Sequence, residues 1–534
     1  MSTHFKWYPA SEEVVVPFNA RYSFPSQANK AVKMTPRIPP KNGSNFLPGQ
    51  VIRLEFPAQG YVNPLNTSLE FDVTLISYGT TGSEIVRFQN NIQSLFSRVR
   101  LLYGSTPLED MINYNVIVRG LTEWTGTNQS GTMDQTSINE GIGGFCKGFA
   151  PGSGLPVTVN ARQTYIQGYG GATATTEDTN KFDSNGSVPN IINGSGQSVG
   201  SAKTTTRRYQ VNFALGLFTQ DKLIPTKFMA SQLAIEITLE NPSSCMIAKA
   251  GTATGTTPTY GVSNVNLIPE ILEFDASYDA MFLKGLREGG VPIKFSSWHT
   301  FIFSTSAAAN VNLMVQERSR SVKALFTVQR RSPADLTKDS HAFLFDSSAY
   351  NSTVGNSLQT YQYRIGGRYF PAAPVQCSLG AGSSVNNGGA EAFMELQKAL
   401  NIVGDYRLSS SCNTLRWAVP TNNANTIWPD TDYVNAITGF EILGQPIYAQ
   451  QETAALATGS AAAGNAGSGC FTMAIDLETS NGIEISGLNA EEQSDIALIA
   501  NWGGAQFGSN LLEVYTYFDA MIILRENNVL ELIQ

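Results

Sequence analysis

The sequence predicts an all-β protein built as two tandem units of eight antiparallel strands each, with short inserted helices and long loops. Three observations carry that expectation. Apolar and polar residues alternate with period two in many short segments, the mark of a strand with one buried face. The stretch from Leu272 to Met281 is echoed 240 residues later, from Leu512 to Met521. Three further pairs of segments repeat in the same order along the chain.

In the echo, Leu272, Glu273, Asp279, Ala280 and Met281 recur as Leu512, Glu513, Asp519, Ala520 and Met521, and Tyr278 becomes Phe518. In the first copy Leu272, Phe274, Ala276 and Tyr278 alternate with Glu273, Asp275, Ser277 and Asp279, so each copy reads as the last strand of a unit. Gly289 and Gly290, just after it, mark the end of the first unit. Segments 94–110 and 358–374 share a strand, a glycine turn and a proline, followed in each unit by a helical stretch. In the first, Asp110 is expected to cap, with Tyr114, Ile117, Leu121 and Trp124 on one face; in the second, Phe393, Leu396, Leu400 and Val403 form the face. Segment 208–218 pairs with 470–478, and 231–240 with 494–502. Strands at 49–59 and 68–77 open the first unit, and strands at 293–304 and 321–329 open the second. No period of 20–50 residues appears, which argues against solenoids and propellers. Eight antiparallel strands in two facing sheets make a jelly roll. The expected division is an N-terminal arm at 1–47, a first jelly roll at 48–288 and a second at 289–534. Each half is long enough to bury a core without disulfide staples.

A net charge of −8 argues against nucleic-acid binding over the whole surface. Residues 1–41 depart from that balance, with six basic side chains against two acidic ones. The polar, Gly/Ser/Thr-rich stretches 166–206, 250–264, 378–389 and 453–469 cannot bury enough apolar area to form cores and read as surface loops. The five cysteines (Cys146, Cys245, Cys377, Cys412, Cys470) are scattered and never form C-x-x-C, the usage of reduced thiols. The opening residues have no apolar run suited to a signal peptide, and no run reaches the roughly 20 apolar residues of a membrane helix. A soluble product made in the cytosol or nucleus is expected.

Signs of chemistry are sparse. His4, His299 and His341 have no metal-ligand spacing, and His299 reads as structural beside Trp298. There is no P-loop. Gly196-Gln197-Ser198-Val199-Gly200 spells G-x-S-x-G, but in a polar loop without the buried strand and helix that a nucleophile elbow needs. Glu273, Asp275 and Glu513 read as polar-face residues of alternating strands, in solvated or interface positions rather than as an acid/base pair. Asp279 and Asp519 are expected to cap the turn after each last strand. The sequons at Asn42, Asn185 and Asn193 carry little weight without a secretory signal. No catalytic, cofactor-binding or metal-ligating residues are expected, and no enzyme.

The stretches FPAQGYVNPLNTSLEFDV (56–73) and SRVRLLYGSTPLEDMINYNVIVRGLTE (97–123) resemble the double jelly-roll major capsid proteins of the adenovirus and tectivirus lineage. The likeness is closest to polinton-like viruses and virophages of unicellular eukaryotes, and it runs along nearly the whole chain. It implies a major capsid protein whose homotrimers, pseudo-hexameric because each chain brings two barrels, tile an icosahedral shell around a double-stranded DNA genome. Implied partners are neighbouring capsomers, penton proteins and minor or cement proteins. An internal membrane or the genome would meet the basic arm. The implied place is the virion, assembled in the cytoplasm or nucleus of an infected cell, with no cofactor and no small-molecule substrate. The arm and the loop tips match nothing in the family. A jelly-roll protein that binds or cleaves carbohydrate is the alternative, since fold alone does not decide function. Its aromatics would cluster with carboxylates in one groove, whereas Trp7, Trp124, Trp298, Trp417, Trp428 and Trp502 are dispersed. A minor capsid or spike protein, usually a single jelly roll, fits the duplication less well.

Overall fold

The computed structural model describes residues 31–77, 85–88, 92–125, 203–249, 259–305, 308–331, 358–377, 390–403, 471–478, 486–491, 496–502, 510–525 and 530–534. The first half contributes strands β1 (Ala31–Met34), β2 (Asn45–Phe46), β3 (Val51–Glu55), β4 (Tyr61–Ser77), β5 (Ile85–Phe88), β6 (Phe96–Tyr103) and β7 (Thr106–Ile112). Helix α1 (Tyr114–Thr125) follows, then β8 (Lys203–Asn212), α2 (Gly216–Thr219), β9 (Leu233–Leu239), α3 (Pro242–Cys245), β10 (Met246–Lys249), β11 (Thr259–Phe274) and α4 (Ala276–Glu288). The second half contributes β12 (Val291–Thr305), β13 (Asn310–Val315), β14 (Val322–Arg331), β15 (Leu358–Ile365) and β16 (Arg368–Gln376). Helix α5 (Ala390–Ala399), β17 (Met473–Asp476), β18 (Ile496–Trp502), β19 (Asn510–Leu524) and β20 (Leu530–Ile533) complete it.

These strands pair antiparallel in the orders β1-β11-β4-β8 and β3-β9-β6-β7 in the first half, and β12-β19-β14-β17 and β13-β18-β15-β16 in the second. Set aside β2, β5, β10 and β20, which add short pairings, and count the eight remaining strands of each half in chain order. Both halves then have one sheet ordered first-eighth-third-sixth and one ordered second-seventh-fourth-fifth. The chain is therefore all-β, with two antiparallel jelly rolls of one topology. Each repeated pair of sequence segments falls on equivalent strands: β6–β7 with β15–β16, β8 with β17, β9 with β18, and β11 with β19. A helix follows the fifth strand in both halves.

Side-chain alternation explains the layers. In β9, Leu233, Ile235, Ile237 and Leu239 are all buried. In β4, Leu69, Phe71 and Val73 point into the sandwich, and Phe71 meets Phe96 of the facing sheet at 5.6 Å between ring centroids. In the second half the facing sheets are bridged by hydroxyls: Tyr361 donates to the Ala474 carbonyl at 3.0 Å, and the Tyr363 hydroxyl lies 2.7 Å from that of Thr327. A buried Tyr needs such a partner, so these bonds fix the spacing of the sheets as well as filling it. The turn between β6 and β7 uses Gly104 at φ 61°, and that between β15 and β16 uses Gly366 and Gly367 at φ 55° and 80°, conformations that favour glycine.

Several expectations are corrected. Residues 31–47, expected within the arm, supply the first strand of the first sandwich: β1 pairs with the end of β11, Ile38 bridges to Leu267, and β2 pairs further along β11. The echoed stretch does not have one structure. Its first copy leaves the strand at Phe274; Asp275 caps a helix by accepting from the Ser277 amide, and Asp279 lies inside that helix. The second copy stays in β19, held on both sides by β12 and β14. Asp110 caps nothing; it lies in β7 and pairs with Arg98. Helix α5 buries Leu396 but ends at Ala399, leaving Val403 exposed. Residues 203–206 and 259–264, read as loop, are the ends of β8 and β11. The rest of 166–206 and 250–258, and the stretches 378–389 and 453–469, lie outside the described residues.

Candidate functional site

The two sandwiches meet along a seam, where Glu109, Ser297, Arg330 and Glu513 are buried. From the first half it is built by β7, α1 and α2; from the second, by β12, β14 and β19. Period-two alternation puts Glu109 of β7 on the same face as Met111, and both are buried. Three donors meet the Glu109 carboxylate: the Gly216 and Leu217 amides, each at 2.8 Å, and the Ser297 hydroxyl of β12 at 2.7 Å. One carboxylate thus ties a strand and a helix start in the first half to a strand in the second. Burial pushes the Glu109 carboxyl up, and the amide and hydroxyl donors offset only part of that. Gly216 is required for the approach, because a Cβ there would lie 1.9 Å from the Ser296 carbonyl oxygen.

A second knot lies at Glu513 of β19, which has no exposed side-chain surface. It pairs with Arg330 of β14, whose Nε donates at 2.9 Å, and accepts from the Tyr515 hydroxyl and, at 2.9 Å, from Asn113 Nδ2 of the first half. Burial works against the Arg330 charge, but the neighbouring carboxylate outweighs it and the pKa of the guanidinium is raised. Asn113 adopts φ 53°, a conformation Asn tolerates better than most residues, and stands between β7 and α1. The seam is completed by Thr300, whose hydroxyl donates to the Ile112 carbonyl at 2.8 Å, and by Gln534, whose amide donates to the Leu108 carbonyl at 3.2 Å. Its apolar part is aromatic: Trp124 of α1 stacks on Phe326 of β14 at 5.4 Å and 11°, and Trp298 lies against the same ring.

Other residues singled out in the sequence have local duties. Glu513, read as a polar-face residue, is the buried centre of the seam, because the first sandwich covers that face of β19. Glu273 lies near the end of β11, half-buried, and Asp275 is the α4 cap. Asp279 accepts from the Tyr61 hydroxyl at 3.0 Å and pairs with Lys227. Asp519, inside β19, accepts from the Ser296 and Ser321 hydroxyls at 2.9 and 3.0 Å and faces Lys323 at 3.5 Å, so neither aspartate caps a turn. His299 Nδ1 lies 3.2 Å from both carboxylate oxygens of Glu317, with its ring against Phe518. Asn42 holds β3 by accepting from the Arg53 amide and donating to the Val51 carbonyl. Cys245 and Cys377 are buried, with burial pushing both thiols up. His4, His341, Cys146, Cys412, Cys470, Asn185, Asn193 and the 196–200 motif lie outside the described residues. Among the described residues no group of three or more His, Cys, Asp or Glu is placed to hold a metal ion, and no helix is long and apolar enough to cross a membrane.

No protein-family model and no curated protein matches the sequence. Solved structures do match. The mavirus major capsid protein is 8% identical with a TM-score of 0.49, the match covering 100% of this chain and 94% of that one. The Faustovirus major capsid protein is 10% identical at 0.49, covering 96% and 93%. A chain of the PBCV-1 virus capsid is 10% identical at 0.49, covering 96% and 98%. Within this chain the paired strand orders themselves define the fold.

Two outcomes follow from the seam. Glu513→Ala removes the carboxylate that pairs with buried Arg330 and is expected to cost about 3–5 kcal/mol, while the double change Glu513→Leu with Arg330→Met costs clearly less. Denaturant midpoints would measure this, and equal losses in the two variants would contradict the account. Because the folded-state pKa of Glu109 is raised, its contribution to stability is greatest at low pH and declines as pH rises from the ordinary carboxylate range through the folded value. Glu109→Gln is expected to flatten that part of the stability profile above the ordinary carboxylate range, as read from denaturant midpoints at a series of pH values.

Proposed function

We propose that this chain is the major structural subunit of a viral capsid, and that three copies close into a pseudo-hexameric capsomer of an icosahedral shell around double-stranded DNA. The observation that carries the reading is the identical strand order of two sandwiches locked by one buried seam. A shell on a hexagonal lattice needs blocks that fill six-fold positions. One chain with two like units supplies two of the six, and three chains supply the ring. Closure by rotation requires head-to-tail contacts, in which different faces of neighbouring copies meet. The units must also hold a fixed mutual angle, because an error in that angle repeats at every contact. A hinge of Gly and Ser would not hold it; hydrogen-bonded carboxylates and stacked rings do. The resemblance of 56–73 and 97–123 to double jelly-roll capsid proteins supports the same reading.

In this reading the domains are an arm at 1–30, a first barrel from β1 through α4, and a second from β12 onward. The 1–30 segment, with three basic side chains against two acidic ones, faces the shell interior, towards an internal membrane, a cement protein or the genome, while penton and other minor proteins meet the capsomer at its edges. Neither barrel performs catalysis, and the product belongs to the virion.

Light scattering of the purified chain is expected to give a trimer of 57.7-kDa subunits, about 173 kDa, with a hexagonal outline in electron micrographs. A monomer at micromolar concentration would overturn the reading. Removing residues 2–30 is expected to leave that trimer intact and to abolish shell formation; normal shells from the shortened chain would remove the role given to the arm.

A further inference from the structure

Within the chain, the fifth strand of the first sandwich, β7, meets the first strand of the second, β12. The contact carries the Glu109–Ser297 and Thr300–Ile112 bonds. Among the described residues the equivalent strands of the opposite sandwiches are largely exposed. In the first sandwich the first strand is the segment 31–46, running along β11, and every residue from 31 to 45 is at least partly exposed. In the second sandwich the fifth strand is β16, where Val375 alone is buried. Val32 and Leu47 on the first edge are 60% and 61% exposed, and Tyr369 on the second is 50% exposed.

The two fifth strands correspond closely. Met111 pairs with Val99 and Val375 with Tyr361, and both Met111 and Val375 are fully buried. One residue further, Ile112, which receives the Thr300 hydroxyl, therefore has Gln376 as its counterpart. Both open edges are also rich in proline: Pro36, Pro39 and Pro40 on one, Pro371 and Pro374 on the other. Proline at an edge lacks the amide needed to extend a ladder. Contact at these edges must run through side chains, as it does at the internal seam. Lys33 and Arg37 turn onto Glu270 and Glu70 of their own sandwich, which leaves Val32 and the prolines to meet a partner.

We propose that the β16 edge of one copy docks against the 31–47 edge of a second copy, repeating between chains the β7–β12 seam found within one. Tyr369 and Phe370 would pack on Val32, Leu47 and the prolines. The occupant is a second copy because the chain already contains the same junction once and leaves one half of it open at each end. The proposal rests on the capsomer reading and names its contact surface: the contact is heterologous, so it propagates in one rotational sense, and three such contacts with three internal seams close six barrels.

The test places a photoreactive benzoylphenylalanine at position 369 in the full chain and irradiates a mixture of light and heavy-nitrogen-labelled protein. The expected product joins position 369 to a peptide within 31–47 and carries mixed labels. Tyr369→Glu, at an exposed site that tolerates charge, is expected to shift the trimer to single chains at concentrations where the unaltered chain stays assembled, with an unchanged circular dichroism spectrum. Cross-links confined to one chain, including residues 1–30 of the same copy, or directed to another surface overturn the proposal. So does a Tyr369→Glu protein that remains trimeric. In both cases a trimeric unaltered chain leaves the capsomer reading standing. An unaltered chain that is monomeric overturns both.

Discussion

Two units on one chain act as two positions of a lattice only if the angle between them is fixed, and here Glu109 and Glu513 fix it. Each is a buried carboxylate whose partners come from both halves. Burying a carboxylate is costly unless its hydrogen bonds are made, so the seam has one good solution. Sliding β12 along β7 by one residue would move Ser297 to the other face and strip Glu109 of a donor. Apolar contact alone would tolerate such a slip, because dispersion and hydrophobic burial have little directional preference. Trp124 on Phe326 supplies contact area, while the carboxylates supply register.

The duplication is deeper than the strand order. In each sandwich the eighth strand is an inner one, flanked by the first and the third, and it carries a carboxylate tied to both neighbours. Glu270 of β11 pairs with Lys33 beside it on β1 and accepts from Asn63 of β4. Asp519 of β19 accepts from Ser296 of β12 and faces Lys323 of β14. The residue types differ while the arrangement is kept. The halves differ where their neighbours differ. After β11 the chain turns at the Asp275 cap into α4, whereas β19 runs on without interruption and takes β20 as an added neighbour.

Much of this architecture is legible in the residues. Alternation in 231–240 and 68–77 marks half-buried strands, and glycine turns at Gly104 and Gly366 mark the equivalent hairpins. Legibility fails where tertiary context overrides local pattern. The first copy of the echo alternates like a strand through Asp279, but Asp275 and Ser277 form a helix start that period-two counting does not register. Segment 31–46, interrupted by three prolines, has weak strand character and becomes the sandwich's first strand because β11 offers an open edge. For Glu513 the local pattern leaves a solvated and an interface position equally open, because the surroundings that bury it come from a part of the chain 400 residues away. A signal was nevertheless present: the run from Leu511 to Leu524 is apolar on both alternations, as for a strand covered on both faces. Glu109, lying on the same alternation as Met111, carried a similar signal.

The contrast between internal seam and outer edges has a thermodynamic logic. The seam forms once, as the chain folds, and its parts need not find each other by diffusion. It can therefore carry buried charge, whose desolvation is offset only by well-made geometry. An edge between separate copies must first survive exposed to water without pairing to the wrong strand. Proline serves that stage by withholding ladder amides, and solvated Lys33 and Arg37 keep the edge soluble. The fixed angle set by the seam then presents the two edges in a single relative orientation. In the proposed capsomer, association would accordingly lose less conformational freedom than it would for two barrels on a flexible tether, and modest apolar patches would suffice where rigid preorganisation has already been achieved in folding.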